Sequence, residues 1–591
     1  MFLRAKTRRK DGKEHRYWSI VENRRSHGGR VVQRQVLYLG EINDSQQGAW
    51  CRALDVLGEG GMQPRQMAIF PADREPPAAL DCDVLRVRLS ELSVHAPRQW
   101  GACWLAMELW RQLELDTFWA PRLPVNRQGT RWLNVFKTLV AYQLIEPGSE
   151  WRLHRHWYRH SAMRDLLGEG EALVQASRLY RCLDKLLGHK QALFAFLRER
   201  WQSLFSVGFE VLLYDLTSTY FECDPPEHGK RRFGYSRDKR SDCVQVVIAL
   251  IVTPEGLPLA YEVMNGNTND STTLKDFLDK IAKQYGRTQR VWVMDRGIPT
   301  EESLRAMREA DYPVRYLVGT PKGRLNKLEQ DFLTRPWAEV RDSVRVKLLD
   351  RGDELYVLAR SDARVHKERA MRRRRLKKLW ARLHGLQTQR ITRDELLLKL
   401  GAARKEAGRA WGLVTITPPR PEQDVNATTF TFRLNKDKLR IVRRREGRYL
   451  LRSNLCDEDP AKLWHFYIQL TQVEQAFKEL KGDLGIRPIY HQRDERIEAH
   501  IFIAFVAYCL QVTLKQRLRA LAPGLTPAAV FEKFAAMQMV DVHVPAIDGR
   551  QLVLSRYTQP DQDQRLLLQE MKLVLPEQPP PRIHARHARA S

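Results

Sequence analysis

Two aspartates end apolar segments of this sequence, where a buried charge needs an explanation. Asp215 closes the segment "EVLLYD", and Asp295 closes "VWVMD". An isolated buried carboxylate is costly, so each aspartate needs a partner, a metal ion or an edge position. Carboxylate oxygens suit Mg²⁺, and two such ions about 3.5–4 Å apart clamp the attacking and leaving oxygens of a phosphodiester displacement. Two aspartates cannot hold two divalent ions alone, so we expect a third carboxylate from a packed helix.

A helix predicted from about Pro460 to Lys481 offers the third carboxylate. Tyr467, Glu474 and Lys481 are each seven positions apart, so they line up on one face of this helix. A hydroxyl, a carboxylate and an ammonium in one row suit a site that binds a metal ion and a phosphate. A solvated helix face is the alternative interpretation. The neighbouring face is a buried stripe with apolar residues at alternating spacings of four and three: Phe466, Leu470, Val473, Phe477, Leu480 and Leu484.

The order of the segments predicts the sheet that would position the two aspartates. After Phe209 the sequence reads as three strands, a helix, a strand, a second helix and a further strand, which is the order of an RNase H-like α/β sheet. In that order the first and fourth strands, which end on Asp215 and Asp295, lie side by side. The segment from about 325 to 455 mixes strands with a very basic helix, and we interpret it as an insertion into the sheet.

The charge balance favours a nucleic-acid partner over a membrane surface. The chain has 591 residues, with 99 Lys and Arg against 71 Asp and Glu, which gives a formal net charge of +28. Cations placed on phosphates release condensed counterions, so such an excess favours a polyanionic partner. The longest apolar run, from Ile501 to Leu514, is shorter than the ~20 residues that a membrane span needs, so we predict a core helix and no membrane contact.

The cysteines and the N-terminus indicate a cytoplasmic protein. The eight cysteines form no C-x-x-C pair, which argues against a zinc knuckle or a redox motif. Sparse, unpaired cysteines fit a reducing compartment. The N-terminal segment has no apolar stretch of the kind found in signal peptides.

Changes in pattern along the chain predict the domain boundaries. The length indicates about three or four domains. The tail "PEQPPPRIHARHARAS" is rich in proline and arginine, and we predict that it is disordered. The expected units are an N-terminal β-hairpin and linker at 1–80, a helical DNA-binding domain at 81–205, the first part of an RNase H-like core at 206–324, a mainly β insertion with a basic helix at 325–455, the core helices that carry Glu474 at 456–520, and a C-terminal region with the tail at 521–591.

The helix with Glu474 also carries a pattern that resembles a known family. The segment "YIQLTQVEQAFKELK" is similar to the Y-x2-R-x3-E-x6-K signature of the cut-and-paste branch of DDE transposases from bacterial insertion sequences. Tyr467, Glu474 and Lys481 match it, whereas Leu470 stands where the pattern has arginine and also belongs to the apolar stripe. The blocks "YDLTSTYFE", "VMNGNTNDSTTL", "VMDRG" and "RPIYHQRDERIEAHIFIAFVA" resemble one subgroup of this family, and the resemblance covers about residues 205 to 515.

The resemblance implies an RNase H-like core of the retroviral-integrase type, with Asp215, Asp295 and Glu474 as the catalytic and metal-binding triad. It implies two Mg²⁺ ions, for which Mn²⁺ can substitute, and DNA cleavage followed by strand transfer. The double-stranded DNA partners would be the terminal inverted repeats and the target DNA, held by a homodimer. Tyr467 and Lys481 would contact DNA phosphates, and Arg296 would either do the same or form a structural ion pair.

Two other functions remain open at the level of sequence. The chain could be a domesticated, non-catalytic DNA-binding protein, although three consistently placed carboxylates argue against that interpretation. It could also be an RNase H-like nuclease that cuts DNA without joining strands. Cleavage by a Glu474→Gln variant separates catalysis from binding alone, and joining of pre-cleaved ends separates a transposase from a nuclease.

Overall fold

The computed structural model describes most of the chain. Its backbone is described at residues 2–10, 13–25, 31–41, 53–57, 64–73, 83–238, 240–268, 290–295, 297–310, 314–320, 328, 330–487 and 489–585. Side chains are described at Val56, at Leu57 and, within those ranges, from Arg65 onward.

Among the described residues, strands come first, helices follow as far as Phe205, and strands and helices are mixed after that. In chain order the strands are β1 (Phe2–Lys10), β2 (Lys13–Arg25), β3 (Val31–Glu41), β4 (Ala53–Leu57), β5 (Pro64–Pro71), β6 (Asp83–Val87), β7 (Ser93–Gln99), β8 (Val211–Phe221), β9 (Val244–Val252), β10 (Pro258–Asn265), β11 (Val291–Met294), β12 (Arg315–Gly319), β13 (Ala338–Arg341), β14 (Val344–Asp350), β15 (Leu355–Ser361), β16 (Val414–Thr417), β17 (Thr431–Leu434), β18 (Arg448–Ser453), β19 (Gln538–Pro545), β20 (Gln551–Tyr557) and β21 (Arg582–His584). The helices are Gly101–Gln112, Leu115–Trp119, Trp132–Ile145, Glu150–Arg152, Tyr158–His160, Met163–Leu167, Ala176–Leu186, Lys190–Phe205, Glu301–Glu309, Asp362–Gln387, Arg393–Ala407, Lys436–Arg445, Pro460–Ile468, Leu470–Lys481, Asp494–Leu521, Pro527–Ala535 and Gln562–Glu570.

A mixed nine-stranded sheet lies at the centre of the molecule, in the order β10-β9-β8-β11-β12-β18-β15-β14-β13. Strand β8 pairs antiparallel with β9 and parallel with β11, and β11 pairs parallel with β12. Strands β9 and β11 are buried at every position, as expected for strands covered on both faces of a sheet. The predicted adjacency of the first and fourth strands after Phe209 is therefore confirmed.

The segment between β12 and the helices that follow residue 460 enlarges this sheet. Strand β18 pairs antiparallel with β12, and β15, β14 and β13 continue the sheet outward from β18. Between β15 and β18, the helices Asp362–Gln387 and Arg393–Ala407 share a separate small hydrophobic core with the β16–β17 hairpin. The insertion therefore has two parts, one continuous with the central sheet and one with a core of its own.

The prediction of a mainly β insertion is wrong, because helices cover more of this segment than strands do. The helix Arg393–Ala407 begins at a capping box, in which the side chains of Thr392 and Glu395 each accept a backbone N–H of the other residue. The segment Lys436–Arg445 is also a helix, and the Asn435 side chain caps it by accepting the Lys438 backbone N–H.

The helices between Gly101 and Phe205 pack around the long helix Asp494–Leu521. In the described part of the chain, this is the one helix long and apolar enough to cross a membrane, but 94% of its most apolar window is buried within the protein. The prediction of a core helix is confirmed. Residues of the helical region, the long helix and β8–β12 all belong to one hydrophobic cluster, so the helical region and the sheet share a core.

Strands from both ends of the chain meet in a seven-stranded sheet with the order β6-β5-β4-β21-β20-β19-β7. Strand β21 pairs with β20 and with β4, so the prediction of a disordered tail is wrong for Arg582–His584. The side chain of Ile583 packs into the core of this sheet, which explains why a proline-rich tail returns to the protein. Residues 586–591 of the tail lie outside the described residues.

The N-terminal residues form a second, separate sheet with the order β1-β2-β3. Strands β2 and β3 pair antiparallel, as the predicted hairpin requires. The whole length of β1 pairs antiparallel with the outer edge of β2. The predicted hairpin is therefore confirmed and is part of a three-stranded sheet.

Candidate active site

The parallel pairing of β8 and β11 brings the two aspartates together. Met294 lies opposite Tyr214, so the next residues along the two strands, Asp295 and Asp215, are neighbours. Asp215 is half-buried and Asp295 is exposed. In a parallel pair, equivalent positions point to the same face of the sheet. The two carboxylates therefore share one end and one face of the paired strands.

Asp215 does not end its strand, contrary to the sequence prediction. Strand β8 continues to Phe221, and this second half pairs with β9. Strand β11, on the other side, ends at Met294. Asp215 therefore lies where β8 loses one of its two neighbouring strands.

Glu474 lies close enough to the two aspartates for the negative charges to affect one another's pKa. The pKa of Asp215 is raised to about 7, chiefly by burial and in addition by the negative charges of Asp295 and Glu474, and this value already includes the opposing effects of the Leu216 backbone N–H and of Arg237. Desolvation also raises the pKa of Glu474, and Asp295 adds to that increase. The three predicted carboxylates therefore lie close enough to oppose one another's ionisation.

The donor chemistry of this group fits a hard divalent cation. Three carboxylates that repel one another supply the oxygen ligands and the negative charge that Mg²⁺ or Mn²⁺ requires. The ligand atoms of these three carboxylates do not all lie within 4.8 Å of one another. Among the described residues, the only group of three ligand atoms all within 4.8 Å of one another lies elsewhere, at Glu150, His491 and His500.

Asp295 and Glu474 line a cleft of about 410 Å³ whose lining also includes three basic residues. Arg364 and Lys367, from the start of the first insertion helix, and Arg448, from β18, line the same cleft. Lys367 lowers the pKa of Glu474 through its charge, which partly offsets the desolvation. The insertion therefore supplies cations to the carboxylates although it lies far from them in sequence.

Aromatic contacts hold part of this basic lining in place. The guanidinium of Arg364 lies 3.8 Å from the centroid of the Tyr449 ring, and its Nε donates to Glu368 over 3.0 Å. Tyr449 in turn meets the ring of Tyr467 at 6.1 Å between centroids. Lys367 is exposed and, within the described residues, has no carboxylate within ion-pair distance. Its ammonium is therefore available to a bound anion.

The predicted DNA-contact residues have different surroundings. Tyr467 lines the cleft beside Glu474. Lys481 instead forms a mostly buried ion pair with Asp238, at 2.9 Å, and Arg487 reaches the same carboxylate at 2.6 Å. Arg296 lies outside the described residues. Its contact, either with a DNA phosphate or in a structural ion pair, therefore stays a prediction.

The helix that was predicted to carry Tyr467, Glu474 and Lys481 is broken. One helix ends at Ile468 and the next begins at Leu470, so Tyr467 lies on the first and the other two residues on the second. Leu470 is 8% exposed, which confirms its packing role in place of the arginine of the signature. The sequence spacing of seven therefore does not describe one continuous helix face.

Comparison with known proteins gives the family. Residues 210–510 match the family described as "Transposase DDE domain". This chain belongs to the DDE transposases. Residues 3–57 match the "IS1634 family transposase, N-terminal domain", which supports an insertion-sequence origin. No curated protein matches the chain.

One solved structure is similar to this transposase, at a low level. It is a piggyBac transposase synaptic complex with hairpin DNA, 9% identical in sequence, with 73% of this chain and 76% of that chain covered. The TM-score of this match is 0.34. The family matches therefore carry the identification, and they make this protein a DNA-binding, metal-dependent enzyme of DNA cleavage and strand transfer.

Proposed function

We propose that this transposase binds the terminal inverted repeats of its own insertion sequence and moves the element by a cut-and-paste reaction. Asp215, Asp295 and Glu474 are the catalytic carboxylates, carried by an RNase H-like core made of β8–β12 and the helices after residue 460. The observation that supports this assignment best is the electrostatic coupling of the three carboxylates at the end of β11. Structural carboxylates would be paired with cations rather than grouped together.

The three carboxylates are proposed to hold two Mg²⁺ ions, for which Mn²⁺ can substitute. When bound, the ions supply activation of the attacking oxygen and stabilisation of the leaving oxygen. The carboxylates themselves fix the ligand positions, because β8 and β11 are rigid buried strands and Glu474 lies on a helix with a buried stripe. No protein nucleophile is needed, since water and then the 3′-hydroxyl of the cut strand attack the phosphorus.

The basic lining of the cleft is proposed to hold the scissile strand against the carboxylates. Lys367 and Arg448 contribute cations beside Glu474, and Tyr467 contributes a ring and a hydroxyl. Phosphate contacts of this kind fix the position of a strand rather than its sequence. The sequence suggested Lys481 as a phosphate contact, but we assign it the role of holding Asp238 through their ion pair. Asp238 follows Arg237, and the charge of Arg237 lowers the pKa of Asp215.

The remaining DNA surface is proposed from charge and exposure. Outside the cleft, the first insertion helix exposes Arg373, Arg374, Arg375, Lys377 and Lys378. A formal net charge of +28 supports a long contact with the DNA backbone. We assign recognition of the terminal repeats to the N-terminal sheet and the helical region. The protein would act in the cytoplasm as a homodimer that holds both ends of the element, and a hairpin on the element end would be an intermediate.

A direct assay tests this function. Duplexes that end in the inverted repeats found beside the gene are incubated with protein and Mg²⁺, and labelled products are resolved on denaturing gels. We expect cleavage at the repeat terminus, and we expect pre-cleaved ends to join target DNA. Cleavage without joining would favour the nuclease alternative, and specific binding without either reaction would favour the non-catalytic one.

Replacing Lys367 by alanine should reduce the rate of end cleavage by about 10–100-fold. A hydrogen bond to a charged group is worth about 1.5–3 kcal/mol, and each 1.36 kcal/mol is a factor of ten in rate. The measurement is the single-turnover cleavage rate at saturating protein, so that weaker binding does not contribute.

Lys377→Ala is the matched control, because Lys377 is an exposed lysine of the same helix that does not line the cleft. Both variants should reduce the steepness of the plot of log DNA affinity against log salt concentration by about 1. Only Lys367→Ala should slow cleavage. Equal cleavage rates for the two variants would show that Lys367 does not contact the reacting strand.

A further inference from the structure

A buried group of one glutamate and two histidines lies apart from the catalytic carboxylates. The ligand atoms of Glu150, His491 and His500 all lie within 4.8 Å of one another. All three residues are more than nine-tenths buried, with 7%, 8% and 6% of their surfaces exposed. The Oε1 atom of Glu150 lies 2.9 Å from Nε2 of His491 and 3.7 Å from Nδ1 of His500.

Hydrogen bonding alone does not satisfy this group. A contact of 3.7 Å is too long for a hydrogen bond, so Glu150 bonds His491 but not His500. Nδ1 is the ring nitrogen of His500 that lies nearest to the Glu150 carboxylate, so it is the atom that an ion placed between the three residues would meet.

The three donors have the chemistry and spacing of a zinc site. Two imidazoles and one carboxylate are a common protein ligand set for Zn²⁺, with bonds of about 2.0–2.2 Å. Donor atoms on a tetrahedron of that size are about 3.3–3.5 Å apart. The distances of 2.9 and 3.7 Å from the Glu150 oxygen lie on either side of that value, so small shifts would complete the site.

We propose that Glu150, His491 and His500 bind one Zn²⁺ ion, with water in its fourth position. The donors come from three separate segments: the start of a short helix, the loop after Lys481, and the long helix Asp494–Leu521. The ion would therefore fasten the loop that follows the Glu474 helix to the core of the protein. It would be distinct from the catalytic ions, because imidazole favours zinc whereas an all-carboxylate set favours Mg²⁺ or Mn²⁺.

Metal analysis of untagged protein tests the proposal without any activity assay. We expect about one zinc per chain in the wild type by mass spectrometry of the metal content, after dialysis against Mg²⁺ buffer. The His491→Gln/His500→Gln double variant should lose that zinc. His384→Gln is the control, since His384 is exposed on an insertion helix, and it should keep the full zinc content.

A second measurement uses only wild-type protein, so it does not depend on whether a variant folds. Chelator-treated protein should gain about 3–5 °C in melting temperature on adding one equivalent of Zn²⁺, and nothing comparable with Mg²⁺ at the same concentration. Co²⁺ added to the treated protein should give the visible absorption of a tetrahedral site. Zinc-free protein with no thermal response to Zn²⁺ would overturn the proposal and leave a hydrogen-bonded Glu–His–His group.

Discussion

Replacing Glu474 by glutamine should abolish end cleavage and strand joining while leaving DNA binding intact. The amide keeps the size of the side chain but removes the charge that a divalent cation needs. Metal-ion stabilisation of a phosphoryl transition state is worth several kcal/mol, so we expect the cleavage rate to fall by about 10³-fold or more. The measurement is single-turnover cleavage of a repeat-end duplex in Mg²⁺, alongside a binding titration in Ca²⁺.

Glu302→Gln is the matched control for this variant. Glu302 is an exposed glutamate in the first turn of the helix that follows β11, so the same chemical change is made near the sheet but outside the carboxylate group. It should retain the wild-type cleavage rate. If Glu474→Gln cuts as fast as Glu302→Gln, Glu474 is not a catalytic ligand and the proposed triad fails.

Local patterns in the sequence were sufficient to place the carboxylates. Asp215 and Asp295 each follow an apolar run, and the order of elements after Phe209 requires their strands to be neighbours, which the pairing of β8 with β11 confirms. The exact position of Asp215 within its strand was not predictable from the run itself. The second half of β8 is held by pairing with β9, and such a partner is chosen by tertiary structure.

The cationic side of the site was not predictable from local patterns. Lys367 belongs to a helix with many lysines and arginines, and nothing in their spacing indicates which of them faces Glu474. The other side of the cleft depends on β18, which carries Arg448 and Tyr449 and pairs with β12 through Leu451–Ser453. In the same way, the matching Lys481 of the signature meets Asp238, a residue far from it in sequence. Long-range pairing therefore decides the role of each cation.

Ion pairs between residues far apart in sequence also help to join the two ends of the chain. Arg98 on β7 is 2% exposed and binds two carboxylates at once. Its Nε and Nη2 donate to Asp165 at 2.8 and 3.0 Å, and Nη1 and Nη2 donate to Asp541 at 2.8 and 3.0 Å. Asp165 lies in the helical region and Asp541 lies on β19. One guanidinium thus connects the helical region to the sheet built from both chain ends.

Replacing Arg98 by methionine should lower the free energy of unfolding by about 3–5 kcal/mol, because two partly buried carboxylates would lose their common cation. Urea denaturation followed by intrinsic fluorescence measures this loss. Arg88→Met is the control: Arg88 has 46% of its side chain exposed and, among the residues that the structure describes, pairs only with the nearby Glu91. Its loss should change stability by less than about 0.5 kcal/mol.

A triple variant separates the contribution of the charges to the free energy of unfolding from the contribution of the packing around them. Adding Asp165→Asn and Asp541→Asn to Arg98→Met removes the carboxylates that the methionine leaves unpaired. Since uncompensated charge is the main cost of breaking a buried ion network, the triple variant should recover a large part of the lost stability. If it is no more stable than Arg98→Met alone, the arginine acts through its packing and hydrogen bonds to the backbone, such as the one to the Ala96 carbonyl at 2.8 Å.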